Sequence, residues 1–183
     1  MKKLVAIMLF CLYVLTSYAQ VGMYGRYTIN GKVEPSFNFY GEKKISEKVN
    51  LTYFALIEEK WSEALVGLSY SPVKWISLGL STGIEHNPAI IRFGGSIWIG
   101  KDKTSLLMLG EKGDGRDNYW YKTVLSYKAS EQLTFCAMAW RFHGIGPVIK
   151  YTPKESDLTI WVMPAYDLEV NAKRIILGLS VKI

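Results

Sequence analysis

The feature that most constrains this chain is a period-two alternation, seen most plainly in its last stretch. Ile175, Leu177, Leu179, Val181 and Ile183 share one phase, and Ile176, Gly178, Ser180 and Lys182 the other. Successive side chains of an extended segment point to opposite faces, so this stretch is a strand with one oily face and one small or polar face. The same alternation recurs in about eleven earlier runs separated by turn residues, the signature of an all-β chain.

Taken in order, Val21 to Ile29 alternates and meets Asn30-Gly31, a strong two-residue hairpin signal. Val33 to Tyr40 returns, Gly41 to Lys48 reads as a charged connection, and Val49 to Glu58 alternates again. After Glu59 to Glu63 a strand runs to Tyr70 and turns at Ser71 to Lys74. Trp75 to Glu85 sets Ile76, Leu78, Leu80 and Ile84 against Ser77, Gly79, Ser81 and Gly83. A face of glycine and serine is hard to place in a soluble core and natural inside a narrow barrel. His86 to Ala89 breaks that run, Ile90 to Gly100 follows, and Lys101 to Lys103 turns into Thr104 to Gly110. Glu111 to Asn118 reads as a polar loop, and Tyr119 to Tyr127 as a strand. Leu133 to Phe142 is apolar in both phases, as is much of Thr104 to Gly110, so alternation leaves their facing open. Gly144 and Gly146 bound the next expected turn, Pro147 to Tyr151 and Leu158 to Tyr166 are strands, and Asp167 to Arg174 leads into the last one. The expectation is an antiparallel barrel of about twelve strands, or ten if Val21 to Tyr40 is an extension outside the ring.

Residues 1–19 have the form of a secretory signal peptide: Lys2-Lys3, an apolar run from Leu4 to Leu15, then Ser17-Tyr18-Ala19 with small residues where a signal peptidase reads. Cleavage before Gln20 leaves residues 20–183 as one domain by length. The apolar run is too short for a permanent helical anchor. The mean hydropathy of +0.08 suits strands in which apolar and polar residues alternate. The formal charge of +6 is scattered among acids, which excludes the clustered basic footprint of a nucleic-acid binder. The two cysteines, Cys11 in the leader and Cys136 in an expected strand, make no disulfide framework.

The ending Gly178-Leu-Ser-Val181-Lys-Ile183 resembles the C-terminal insertion signal of bacterial outer-membrane β-barrels, although Ile183 stands where an aromatic residue is frequent. The resemblance implies a transmembrane β-barrel in the outer membrane. Its partners would be outer-membrane lipid and lipopolysaccharide, the barrel-assembly machinery and, where the lumen is open, a small solute. Tyrosines at strand ends, Tyr70, Tyr127 and Tyr151, fit an interfacial girdle above short turns. A soluble barrel of lipocalin type, oily face inward, shares the alternation; the Gly/Ser face and the apolar end favour the membrane.

With the oily face outward, the inward set includes Arg26, Glu34, Glu58, Glu85, Arg92, Lys122, Lys150 and Asp167. A charge facing lipid near the midplane costs about 2–4 kcal/mol, so this phase is physically required. These residues are candidates to line a narrow channel for small hydrophilic solutes. The alternative is an internal ion-pair network that, with Tyr24, Trp98, Trp120 and Trp161, plugs a barrel of structural or interaction role. A third possibility is an outer-leaflet lipid-modifying enzyme built on His86 or His143, but no serine stands beside either, and no catalytic residue is assigned. No cofactor motif appears. Glu58, Glu85 and Asp167 fall near one rim, as a cation-attracting mouth or calcium site would need, but acids at strand ends are ordinary; the loop Gly113 to Asn118 lacks the spacing and closing Glu of an EF-hand loop, and no metal site is assigned.

Overall fold

The computed structural model describes residues 18–28, 31–86 and 90–183. They form twelve strands: β1 (Tyr18–Thr28), β2 (Val33–Lys44), β3 (Val49–Glu58), β4 (Ser62–Val73), β5 (Ile76–His86), β6 (Ile90–Lys101), β7 (Thr104–Lys112), β8 (Tyr119–Lys128), β9 (Leu133–Trp140), β10 (Gly144–Tyr151), β11 (Leu158–Asp167) and β12 (Ala172–Lys182). Each strand is antiparallel to its sequence neighbours, and β12 pairs with β1 to close the ring. Closure leaves no edge, the condition for spanning lipid with strands. The ladder between Gln20↔Lys182 and Tyr27↔Ile175 includes β1 in the wall, which excludes the ten-strand alternative. Ala19 and Ile183 exchange backbone hydrogen bonds of 3.3 and 2.8 Å, so β1 starts and β12 finishes at one end of the barrel, here called the terminal end.

The outer wall is apolar. Leu80 is 78% exposed and Ile57, Ile84, Ile91 and Phe93 each 62%. Among described outward positions, charged side chains occur only near strand ends, as with Lys43, Lys101, Lys112 and Lys173. A belt of this kind is stable only against hydrocarbon. That resolves the facing left open by alternation: the oily phase is outward, as a lipid-facing barrel requires.

Several boundaries move. Gly41 to Lys44 continues β2 rather than opening a loop, and Glu63 and Glu111 lie inside β4 and β7. Gly41 stays in the strand because the ring of its ladder partner Tyr53 covers it, in the space a Cβ would need. Gly144 and Gly146 belong to β10, and the turn is the shorter Arg141–His143. The β10 backbone at Gly146 is pressed against the carbonyl of Pro164, leaving no room for a Cβ. Tight ladder packing, not turn chemistry, uses that glycine. Residues 1–17, Ile29, Asn30 and residues 87–89 lie outside the described residues, and with them the leader up to Ser17 and half of the expected Asn30-Gly31 hairpin; Tyr18 and Ala19 open β1.

Candidate functional site: a cavity along one half of the barrel

The two halves of the barrel are filled differently. On β8 to β12 and β1 the inward positions carry Tyr24, Val124, Cys136, Met138, Trp140, Val148, Met163 and Ile176, which pack into an apolar core. Trp140 stacks on His143 with ring centroids 3.6 Å apart and meets Tyr24 edge-on at 5.0 Å. On β4 to β6 the inward positions are small: Gly79 faces Ser96, Gly94 faces Ser81, and neither glycine has space for a Cβ. Bulky rings on one wall and a smooth Gly/Ser wall opposite leave the interior open on one side. The resulting cavity has a volume of about 1850 Å³. Its lining runs from Lys103 and Lys128 at the terminal end to Asn118 and Phe142 at the far end.

One cluster of charges sits on the β4–β7 wall at the far end. The Arg92 guanidinium lies 3.1 Å from Glu63, 2.5 Å from Glu85 and 2.8 Å from Glu111, and all four side chains are at most 9% exposed. Asn118 accepts from Arg92 Nη1 at 2.8 Å and donates to Glu85. Trp61 donates its indole N–H to Glu63 at 3.2 Å, and its ring lies 5.2 Å from the guanidinium. Three carboxylates around one guanidinium give this wall an excess of negative character.

A second group of charges crosses from β1 and β12 to the β9–β10 turn. Arg26 pairs with Glu34 and donates to the Phe142 carbonyl at 2.5 Å, while Arg174 pairs with Asp167 at 2.7 Å and donates to the same carbonyl at 2.7 Å. Phe142 has φ +66°, an uncommon conformation for a bulky residue. Two guanidinium donors converging on its carbonyl hold the turn there. Arg141 secures the other side through Glu169 at 3.0 Å and the Asp117 carbonyl at 2.9 Å. The turn thereby presses His143 into the core, where its Nδ1 donates to the Arg141 carbonyl at 3.1 Å. Burial first, then the Arg26 charge, pushes this turn imidazole well below its ordinary pKa.

Of the eight charged residues expected inside, Arg26, Glu58, Arg92, Lys122 and Lys150 border the cavity. Glu34 is bound to Arg26, Glu85 is buried beneath Arg92 and Asp167 beside Arg174. Glu58, Glu85 and Asp167 stand on β3, β5 and β11, each with different partners, and among the described residues no three His, Cys, Asp or Glu side chains are grouped so that they could hold a metal ion. His86 is exposed, in the outward phase of β5, and His143 is buried. The two histidines are thus not brought into one site. Glu63 and Glu111 are not among the expected site residues, since Glu59 to Glu63 and Glu111 to Asn118 have the composition of polar connections. Their signal was phase: Glu63 is in step with Leu65 and Ser69, and Glu111 with Leu107 and Leu109.

No protein-family model matches the sequence, and no curated protein matches it. Solved structures do. The KdgM porin superposes with a TM-score of 0.61 at 10% identity, over 90% of this chain and 99% of the porin. Its complex with disordered oligogalacturonate gives 0.62 at 10% identity, over 91% and 99%. The NanC porin gives 0.58 at 11% identity, over 89% of this chain and all of that one. The Acinetobacter baumannii outer membrane protein Omp33 gives 0.57 at 8%, over 91% and 99%. The fold is that of the bacterial outer-membrane porins. The porin-like barrel also meets the physical requirement of that setting, a charge-free apolar wall between two polar rims.

Proposed function

We propose that this barrel is a narrow outer-membrane channel for small hydrophilic solutes. The observation that carries the reading is the cavity of about 1850 Å³ whose lining reaches from one end of the barrel to the other. Asn38, Thr52, Ser69, Ser81 and Ser96 line it, side chains that wet a passage without binding a solute strongly. Arg26, Glu58, Arg92, Lys122 and Lys150 are among its charged lining. Fold alone does not assign a function, but the likeness to small porins agrees with this use of the cavity. The apolar core on the other half favours the second reading, a plugged barrel of structural role. Planar-bilayer recording on refolded protein separates the two. Discrete conductance steps are expected; a trace at leak level in both polarities overturns the channel.

The reading includes a leader removed after Ala19, which leaves Gln20 as the first residue of β1, still paired with Tyr40 and Lys182. N-terminal sequencing of the membrane-inserted protein checks it. It also includes Gly178, Val181 and Ile183 as the segment read by the assembly machinery, and lipopolysaccharide around the far end.

A further inference from the structure

The inward charges segregate by half-barrel. Strands β2 to β7 turn Glu34, Glu42, Glu58, Glu63, Glu85 and Glu111 inward against two cations, Arg92 and, at the end of β2, Lys44. Strands β8 to β12 and β1 turn Arg26, Lys122, Lys128, Lys150, Arg174 and Lys182 inward against one carboxylate, Asp167. The β6–β7 turn adds Asp102 and Lys103 at the terminal-end mouth, where the two signs mix.

Ion pairing does not erase the division. The three carboxylates on Arg92 outnumber it. Glu58 is held by two neutral hydroxyls, Tyr24 at 2.9 Å and Ser36 at 2.6 Å, and by no cation among the described residues. On the opposite wall Lys122 and Lys150 form no ion pair among the described residues. Lys122 Nζ rests 3.8 Å from the centroid of the Trp140 ring, whose π-face tolerates the charge without cancelling it. Glu58, Lys122 and Lys150 all border the cavity.

Charges of opposite sign on facing low-dielectric walls set a field across the passage. A neutral solute gains nothing from that field. A polyanion that gains from Lys122 and Lys150 is repelled by the acidic wall beside it. A molecule carrying both an ammonium and a carboxylate can satisfy both walls at once. Resting on the channel reading, we propose that the lumen selects zwitterionic solutes over neutral and polyanionic ones of similar size. The ammonium is directed to the Glu58 and Arg92-cluster wall and the carboxylate to Lys122 and Lys150. This separates the barrel from KdgM, which was solved with a polyanionic oligosaccharide.

The test is swelling of proteoliposomes holding the refolded full barrel, with glycylglycine, erythritol or succinate as the permeant at neutral pH. Glycylglycine is expected to enter about tenfold faster than either of the others at low salt, the lower end of electrostatic focusing. The advantage shrinks as ionic strength rises. Glu58→Gln on one wall, and Lys122→Gln with Lys150→Gln on the other, should each bring the glycylglycine-to-erythritol ratio toward one. Heat-modifiable gel migration identifies the variants that are folded. The acidic-wall variant keeps the proposal exposed if the lysine variant does not assemble. Succinate entering as fast as glycylglycine, or a ratio unchanged in Glu58→Gln, overturns zwitterion selection while leaving the channel intact. No swelling with any of the three solutes overturns the channel and the selectivity together.

Discussion

The indole of Trp161 lies against the backbone of Gly178, its direct partner in the β11–β12 ladder, and occupies the space a side chain at 178 would need. The glycine is therefore a seat for a lumen-facing ring as well as part of the terminal pattern. Gly178→Ala forces the indole to move and is expected to cost about 1–3 kcal/mol of barrel stability. In a Trp161→Ala background the same change should cost little, a coupling on the order of 1 kcal/mol or more. Unfolding midpoints of the four refolded proteins check this. Strictly additive effects would show that Gly178 matters through assembly and not through the ring.

Among the described residues, Arg92 is the only cation paired with the three buried carboxylates Glu63, Glu85 and Glu111. Arg92→Leu leaves their charges facing one another in a low-dielectric site, a loss of about 3–5 kcal/mol at neutral pH. Because protonation removes carboxylate charge, the deficit relative to the parent should narrow as the pH falls from 8 to 5. The temperature at which each protein loses its compact gel band, read at both pH values, tests the expectation. A deficit that is the same at both would place the damage in lost packing.

How much of this was legible follows from which face each residue had to serve. The final strand, β5 and β6 were readable because lipid demands Leu80, Ile84 and Phe93 on one side while a smooth inner wall demands Gly79, Ser81 and Gly94 on the other. Where the inner wall is itself a core, the contrast vanishes. Cys136, Met138 and Trp140 face inward and Leu133, Phe135 and Ala137 outward, so both phases of β9 are apolar for different reasons. The acidic site was hidden for a third reason. Glu63 and Glu111 stand at strand ends beside polar loops, and the registers of the successive β4–β5, β5–β6 and β6–β7 ladders bring them to Arg92. Sequence spacing carries no trace of that convergence.

Facing can be tested in the closing strand. Leu179 is outward and 36% exposed, paired with Met23 and Ile160, whereas Ser180 is in the inward phase with Ile176 and Gly178. A carboxylate at 179 meets lipid, and one at 180 meets the interior. Leu179→Asp is expected to reduce folded barrel in the membrane fraction well below Ser180→Asp, in line with a lipid-face charge costing up to about 2–4 kcal/mol. Equal yields from the two variants would reverse the assignment of the wall.

His143 gives the barrel a pH dependence with a definite sign. Its imidazole lies in the β9–β10 turn, buried against Trp140, with a pKa well below the ordinary value. The folded chain keeps it neutral, while the unfolded chain takes up a proton below about pH 6.5. Stability from this group is therefore complete above that pH and is lost as the pH falls toward the depressed folded value, by about 1.4 kcal/mol per pH unit. His143→Phe retains a ring to stack on Trp140 and removes the titration. The difference in unfolding midpoint between parent and variant should move in the variant's favour from pH 7.5 to pH 5. A difference constant across that interval would mean that the turn opens and admits water to the imidazole before the barrel unfolds.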